Sequence, residues 1–330
     1  MTLFWAFMLL LAGFVILVKG ADFFVDGASS IAKFFKISSL IIGLTVVAFG
    51  TSLPEAAVSI TSALSGADDV SFGNIIGSNI FNLALILGLA SLVLPQVVHD
   101  DLIRRDFPFA LIAVVLLVPM YYFFAGTSPY FILRFEAAIL LFILASFMFF
   151  ILKDAKAMNE LNTQVVTHAD EVEKVAKYSI KMAIPITLIG MAGIVGGGIM
   201  VTNGARTIAL ELGMSEWLVG LTIVSVGTSL PELVTSVVAA AKKESEISMG
   251  NIIGSNIFNI AFILGASAFI NPIALNQTAI IDIYILIGLT AAVFLFSLSN
   301  RKISRLEGFF LVMSYISYLT YIILRDSPQA

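Results

Sequence analysis

Residues 50–55 read GTSLPE and the same six letters return at 227–232, while residues 73–82 read GNIIGSNIFN and return unchanged at 250–259. Both pairs lie 177 positions apart. The same offset aligns Gly27, Ala28, Ile31 and Ala32 with Gly204, Ala205, Ile208 and Ala209, and Gly88 with Gly265. Several separated segments that repeat in one register mark the chain as an internal duplication.

Each copy reads as a membrane segment. The chain is 59% hydrophobic and 12% charged, against roughly 25% charged for a soluble domain. Apolar stretches long enough to cross a hydrocarbon core of roughly 30 Å recur at about ten places, namely 3–31, 38–64, 72–93, 107–125, 130–152, 182–206, 216–241, 248–270, 279–299 and 306–324. The first has no basic segment before Leu3 and no small-residue cleavage pattern after Val18, so it reads as a span rather than a signal peptide. Polar residues 153–181 separate five spans from five. The expected organisation is residues 1–152 as a first five-helix repeat, 153–181 as a cytoplasmic linker, helical in part, and 182–330 as a second five-helix repeat.

An odd number of spans per copy obliges the second copy to enter the membrane from the opposite face. Charge placement agrees. With the N-terminus outside, Lys33/Lys36, Arg104/Arg105, residues 153–181, Lys242/Lys243 and Arg301–Arg305 all fall inside, and they hold 14 of the 18 Lys and Arg residues, as the positive-inside rule requires. The loop after the first GTSLPE carries Asp68 and Asp69, whereas its counterpart carries Lys242 and Lys243. The expected fold is an all-α polytopic membrane protein with ten transmembrane helices arranged as two inverted five-helix repeats. It would lie in the cell membrane with both termini outside, and its site near the midplane where the copies meet.

Glu55 and Glu232 are the acidic residues set deepest in apolar spans, where a carboxylate is expensive unless it faces a polar cavity or a bound cation. The plainer alternative is a protonated glutamate that only bonds a neighbouring helix. Duplication weighs against it, since two related acids are expected to converge on a shared axis. Pro54 and Pro231 precede the acids. A proline within a helix offers no N–H to the carbonyl four residues back, here Gly50 and Gly227, and its ring opens that turn. Thr51, Ser52, Thr228 and Ser229 add hydroxyls and further carbonyls there. Asn74, Ser78 and Asn82 stand at i, i+4 and i+8, as do Asn251, Ser255 and Asn259, so each trio forms one polar stripe on a helix. Such a stripe either ligates or bonds a neighbouring helix. Gly73 with Gly77, and Gly250 with Gly254, form GxxxG patterns suited to close helix approach.

Carboxylates, carbonyls, hydroxyls and amide oxygens, with no nitrogen or sulfur ligand in reach, describe a site for a hard cation. Calcium takes roughly six to eight oxygens in flexible geometry, whereas magnesium demands a tight octahedron. Two carboxylates neutralise one divalent ion, and sodium on the same oxygens would exclude it. Other chemistries lack their parts. Cysteine is absent, His99 and His168 fall in polar connecting segments, and the net charge of -4 comes with dispersed basic residues, which argues against thiolate or histidine metal sites, hydrolytic catalysis and nucleic-acid binding. Lys19, Asp22 and Asp26 have the spacing of a local ion pair, and Arg134, Glu136, Asp282 and Glu307 sit where they would anchor span ends.

In both halves GTSLPE and GNIIGSNIFN closely resemble the alpha repeats of the cation/calcium exchanger superfamily, in its prokaryotic sodium/calcium exchanger branch. The resemblance is most specific over 40–90 and 217–267. It implies an antiporter, not an enzyme, that exchanges calcium for sodium by alternating access, with no cofactor, membrane lipid around it and no obligate protein partner. By that resemblance Glu55 and Glu232, with the carbonyls of Thr51 and Thr228, hold calcium. Sodium uses these together with Ser52, Ser229, Ser78, Ser255 and the carbonyls of Ala48 and Ser225. Asn82 and Asn259 line a middle position, and the first and sixth spans slide as a gate. Some relatives carry an aspartate where this chain has Asn259, which argues against potassium dependence. Proton-coupled relatives carry a GNATE-type motif in place of GTSLPE, which favours sodium. A calcium/proton or other cation antiporter is the alternative, and a cation channel is disfavoured by the inverted repeats.

Overall fold

The computed structural model describes residues 3–122, 130–165, 176–213 and 225–326. Among these, seven helices are long and apolar enough to cross a membrane: α1 (Leu3–Phe34), α4 (Asp68–Val93), α7 (Arg134–Val165), α8 (Ile180–Glu211), α11 (Ser245–Ile270), α12 (Ala279–Leu298) and α13 (Arg305–Asp326). An eighth span forms if α2 (Ser39–Thr51) and α3 (Leu53–Leu64), which meet at 48°, are one broken element. The expected span 107–125 appears as two short helices, α5 (Phe107–Val115) and α6 (Leu117–Tyr122), and its end lies outside the described residues. The expected span 216–241 is described as α9 (Ser225–Thr228) and α10 (Leu230–Ala241), and residues 214–224 lie outside the description. His168 lies outside it as well.

Helix ends overrun the apolar runs for local reasons. Asp68 and Asp69 open α4, where negative charge suits the positive end of the helix macrodipole. α7 passes the expected limit at 152 and continues to Val165, because the polar residues there, KDAKAMNEL at 153–161, are mostly good helix formers. Leu, Ile and Phe side chains such as Phe135, Phe142 and Leu324 stand more than two-thirds exposed on the outer helices. That surface is tolerable in lipid and would drive aggregation in water.

α4 and α11 form the centre, with 78% and 83% of their apolar windows buried, against 22% for α1 and 33% for α8. α1 and α8 pack along their lengths as a separate antiparallel pair. A seam of glycines explains it. A Cβ on Gly13 would meet the Val201 nitrogen at 2.8 Å, one on Gly20 the Ile194 nitrogen at 2.7 Å, and one on Gly27 the Thr187 nitrogen at 2.9 Å. Gly190, Gly197 and Gly204 abut α1 in the same way. Both sets step by seven residues and are related by the 177 offset, of which the sequence reading caught only Gly27 with Gly204. Gly250 and Gly254 bring α11 against α2 with Cβ distances of 2.7 Å, as their GxxxG spacing predicts, whereas a Cβ on Gly73 or Gly77 would meet nothing within 4 Å among the described residues.

The two halves are interlocked at their ends. Strand β1 (Gln96–Val97) pairs antiparallel with β4 (Lys302–Ile303), and β2 (Tyr130–Ile132) with β3 (Ile273–Leu275). Arg134 donates to the carbonyls of Phe269 and Ile270, and Arg305 to those of Leu92 and Val93. Each arginine thereby caps orphan carbonyls at the C-terminus of a helix from the other half. Glu136 and Glu307 accept the N–H groups of Leu133 and Ser304 at their own helix starts. Asp22 and Asp26 depart from the expected local pairing: both bind Lys242, at 2.6 and 2.7 Å, and Asp26 also binds Lys177. Sequence spacing within one helix could not show that a loop from the other half lies closer.

Two measurements test this frame. Gly20→Val, which forces a side chain against the α8 backbone, should destabilise detergent-solubilised protein by about 1–3 kcal/mol, while Gly196→Ala, with nothing within 4 Å, should leave the melting temperature unchanged. At one end of the bundle His99 Nε2 pairs with Glu246 at 3.1 Å, and the other Glu246 oxygen accepts the Leu40 N–H at 3.1 Å. The Glu246 hydrogen bond and charge push the imidazole above its ordinary 6.5. Its stabilisation is therefore complete below the unfolded value and lost as pH rises through the higher folded one. The melting advantage of wild type over His99→Asn should shrink steadily from mildly acidic to alkaline buffer.

Candidate cation site

The site begins where two helices break. Ser52 separates α2 from α3 with φ −82° and ψ 4°, and Ser229 separates α9 from α10 with φ −91° and ψ 5°. Both sit in the sparsely populated bridge between helix and strand. Pro54 and Pro231 fall in the first turn of the new helix, where a missing N–H forfeits no bond of that helix. The proline therefore starts a helix rather than kinking one. The acid that follows stands in that first turn, at the positive end of the helix dipole.

The breaks carry the acids to each other. Ser52 Oγ donates to Glu232 Oε1 at 2.9 Å, and Ser229 Oγ lies 2.9 Å from Glu55 Oε1 and 3.0 Å from Ser78 Oγ. Each serine thus bonds the carboxylate of the opposite half. Glu55 is 1% exposed and Glu232 0%. Among the described residues, Oε2 of each glutamate has no hydrogen-bond partner. Two buried carboxyl oxygens without hydrogen-bond partners are costly in an apolar interior and are natural ligands for a cation.

Two further pairs surround this core. Asn74 Nδ2 donates to Ser59 Oγ at 2.9 Å and to the Glu55 carbonyl at 3.4 Å, while its Oδ1 accepts from Thr228 Oγ1 at 3.2 Å. Asn251 repeats the arrangement with Ser236 at 2.9 Å, the Glu232 carbonyl at 3.4 Å and Thr51 Oγ1 at 3.0 Å. The Thr51 hydroxyl also reaches back to the carbonyls of Val47 and Ala48. Both threonine hydroxyls thus bond asparagines, and Thr51 also stands beside the Glu232 carboxylate that Ser52 bonds.

The remaining expected residues fall as follows. Ser255 is fully buried and its Oγ has no partner among the described residues. Asn82 and Asn259 are buried, with both amide atoms unpartnered on the same terms. Each stands second in a π-helical segment, Phe81–Ile86 and Phe258–Leu264, and such bulges are frequent at functional sites. The Ala48 carbonyl accepts the Ser52 N–H at 3.1 Å. Ser225 opens α9, and its side chain lies outside the described residues. Sequence reasoning did not single out Ser59 and Ser236. A signal was present, since each follows its glutamate by four residues and the two are 177 apart. Among the described residues no three His, Cys, Asp or Glu side chains cluster as a metal site; the neutral oxygens must supply the rest of any coordination shell.

Paired buried carboxylates held at helix breaks inside a lipid-facing helical bundle define the class as an integral membrane ion transporter. Known proteins narrow it. The model of the sodium/calcium exchanger protein family matches residues 5–153 and 182–324. The chain belongs to the sodium/calcium exchanger family. It is 40% identical over 323 residues to a putative antiporter, CaxA, of Alkalimonas amylolytica, covering 95% of this chain and 97% of that one. It is 33% identical over 343 residues to the sodium/calcium exchanger MaX1 of Methanosarcina acetivorans, again covering 95% and 97%. The fold matches the sodium-calcium exchanger NCX_Mj, soaked without sodium and calcium, with a TM-score of 0.82 at 27% identity over 97% of this chain and all of the other.

The bonding pattern predicts unequal serines. Ser229 bonds both a carboxylate and Ser78, whereas Ser52 bonds a carboxylate alone. In cation-free detergent, unfolding should show Ser229→Ala less stable than Ser52→Ala by about one net hydrogen bond, ~1 kcal/mol.

Proposed function

We propose that the chain is a secondary active antiporter that exchanges calcium for sodium by alternating access through one shared site. The observation that carries this reading is the reciprocal bonding of Ser52 to Glu232 and of Ser229 to Glu55, which gathers both acids into a single pocket. Calcium is held by Glu55, Glu232 and the carbonyls of Thr51 and Thr228, and the two carboxylates neutralise its charge. Sodium uses the same oxygens with Ser52, Ser229, Ser78, Ser255 and the carbonyls of Ala48 and Ser225. Asn82 and Asn259 line the middle position. Because both ions claim the carboxylates, occupancy by one excludes the other, and this coupling is what exchange needs. The names borne by MaX1 and NCX_Mj support the same pair of ions.

Ten spans in two inverted repeats, 1–152 and 182–330, joined by a cytoplasmic linker at 153–181, complete the proposal. The chain lies in the cell membrane with both termini outside. The glycine seam between α1 and α8 lets these helices move as a pair past the central bundle, exposing the pocket to each side in turn.

Proteoliposomes with imposed sodium, potassium or proton gradients test the reading directly. Sodium-driven uptake of labelled calcium should appear in wild type and fall to the level of protein-free vesicles in Glu55→Gln and in Glu232→Gln. Unchanged uptake in either variant removes the shared site. Uptake driven by a pH gradient without sodium replaces sodium by protons as the coupling ion.

A further inference from the structure

We infer that Asn74 and Asn251 are positioning residues for ion binding, each clamping the broken-helix threonine of one half against the glutamate-bearing helix of the other. The inference rests on the proposed ion site and assigns these amides a role in it without contact to the ion.

The hydrogen-bond chemistry fixes which way each amide faces. A backbone carbonyl can only accept, so the atom that Asn251 turns to the Glu232 carbonyl at 3.4 Å must be its NH₂ group. The same NH₂ reaches Ser236 Oγ at 2.9 Å. Oδ1 therefore faces Thr51, whose hydroxyl donates to it at 3.0 Å. Asn74 is set in the same way by the Glu55 carbonyl and Ser59, and takes the hydroxyl of Thr228. Asn251 is 0% exposed and Asn74 8%, so neither amide can exchange these partners for bulk water.

Two adjacent residues of one break thus grip one helix of the other half. Ser52 holds the Glu232 carboxylate, while Thr51, through Asn251, is tied to the Glu232 backbone and to Ser236 one turn further along. Ser229 and Thr228 do the same for Glu55 through Asn74. The Thr51 hydroxyl proton lies among Asn251 Oδ1 and the carbonyls of Val47 and Ala48, which holds the threonine in place beside the break and with it the direction of its backbone carbonyl. Without the amide the hydroxyl and the broken turn are free to rotate, and the carbonyl loses its fixed aim. Preorganised ligands bind more tightly because less ordering remains to be done on binding.

The test is a double-mutant cycle on the apparent KM for calcium in sodium-loaded proteoliposomes, with calcium-induced melting shifts of the purified protein as a second readout. Asn251→Ala and Thr51→Val should each raise KM about tenfold, equivalent to about 1.4 kcal/mol, with the rate at saturating calcium changed much less. The Asn251→Ala/Thr51→Val double variant should be no worse than either single one. Thr51→Ser, which keeps the hydroxyl, should recover most of the loss seen in Thr51→Val. Asn251→Ala combined with Thr228→Val, which breaks both clamps, should be additive. Additivity within the Asn251/Thr51 pair, failure of Thr51→Ser to recover, or an unchanged KM in Asn251→Ala overturns the inference while wild-type exchange still supports the ion site. A wild type that neither transports calcium nor shifts its melting with it overturns both.

Discussion

Burying two carboxylates beside each other in a helical bundle is the constraint on which the rest of the molecule depends. Glu55 and Glu232 are shut off from solvent, each bonded to the serine of the opposite break, and burial of two acids destabilises a fold unless donors or cations answer it. The answer is reciprocal. Each acid receives one hydroxyl from the serine at the opposite break, and each keeps one oxygen without a partner among the described residues. These donors hold the side chains in place without satisfying both oxygens of either acid, and this partial satisfaction leaves the pair suited to a metal ion. Full hydrogen bonding would have produced a stable polar core with nothing to bind.

Such a pair can be built only if helices stop at the right depth. Ser52 and Ser229 end one helix and begin another, and the prolines that follow are placed where the lost N–H costs little. The breaks are braced from behind by Asn74 and Asn251 on the two most buried helices. Interlocked ends finish the frame, since Arg134 and Arg305 each cap a helix of the other half. α1 and α8 stand apart from this frame. They are far less buried than the central α4 and α11 and are joined mainly to each other along the seam.

Much of this was legible in sequence because membrane solvation leaves few options. Apolar runs of spanning length, a carboxylate in the middle of one, and an exact repeat at 177 residues each have few physical explanations, and together they pointed to Glu55, Ser52, Glu232 and Ser229 as neighbours. What escaped depended on contacts between segments far apart in the chain. Asp22 and Asp26 have the spacing of a local pair with Lys19, yet Lys242 and Lys177 sit closer. The polar stripe left Asn74 divided between ligand and helix glue, and only its three bonds decide that it faces protein. The π-helical segments around Asn82 and Asn259 carry no compositional mark, since an extra residue in a helical turn is a matter of register rather than of residue type.

Differences between the halves show where the repeat is bound by the site and where it is free. Gly66 and Lys243, related by the 177 offset, both end helices with positive φ, at 73° and 64°, and so do Lys36 and Gly213, at 55° and 87°. The backbone turn is the same on both members of each pair, although lysine adopts it at a cost that glycine escapes. The lysines stand beside Lys33 and Lys242 in loops that are basic in one half only, so charge outweighs local strain there. The pair His99 and Glu246 is matched, at the same offset, by Asn276 and Asp69, bonded at 3.0 Å. Geometry is again kept while the titratable partner is present on one side only. Around the carboxylates the residue types do not diverge: serine answers serine, asparagine answers asparagine, and the Ser–Glu and Asn–Ser bonds are 2.9 Å in both halves, although Ser229 reaches Ser78 while Ser255 has no partner among the described residues. A site that must serve both breaks equally holds its residues to the two-fold pattern, and the loops, which do not share that task, are free to carry the asymmetry of charge.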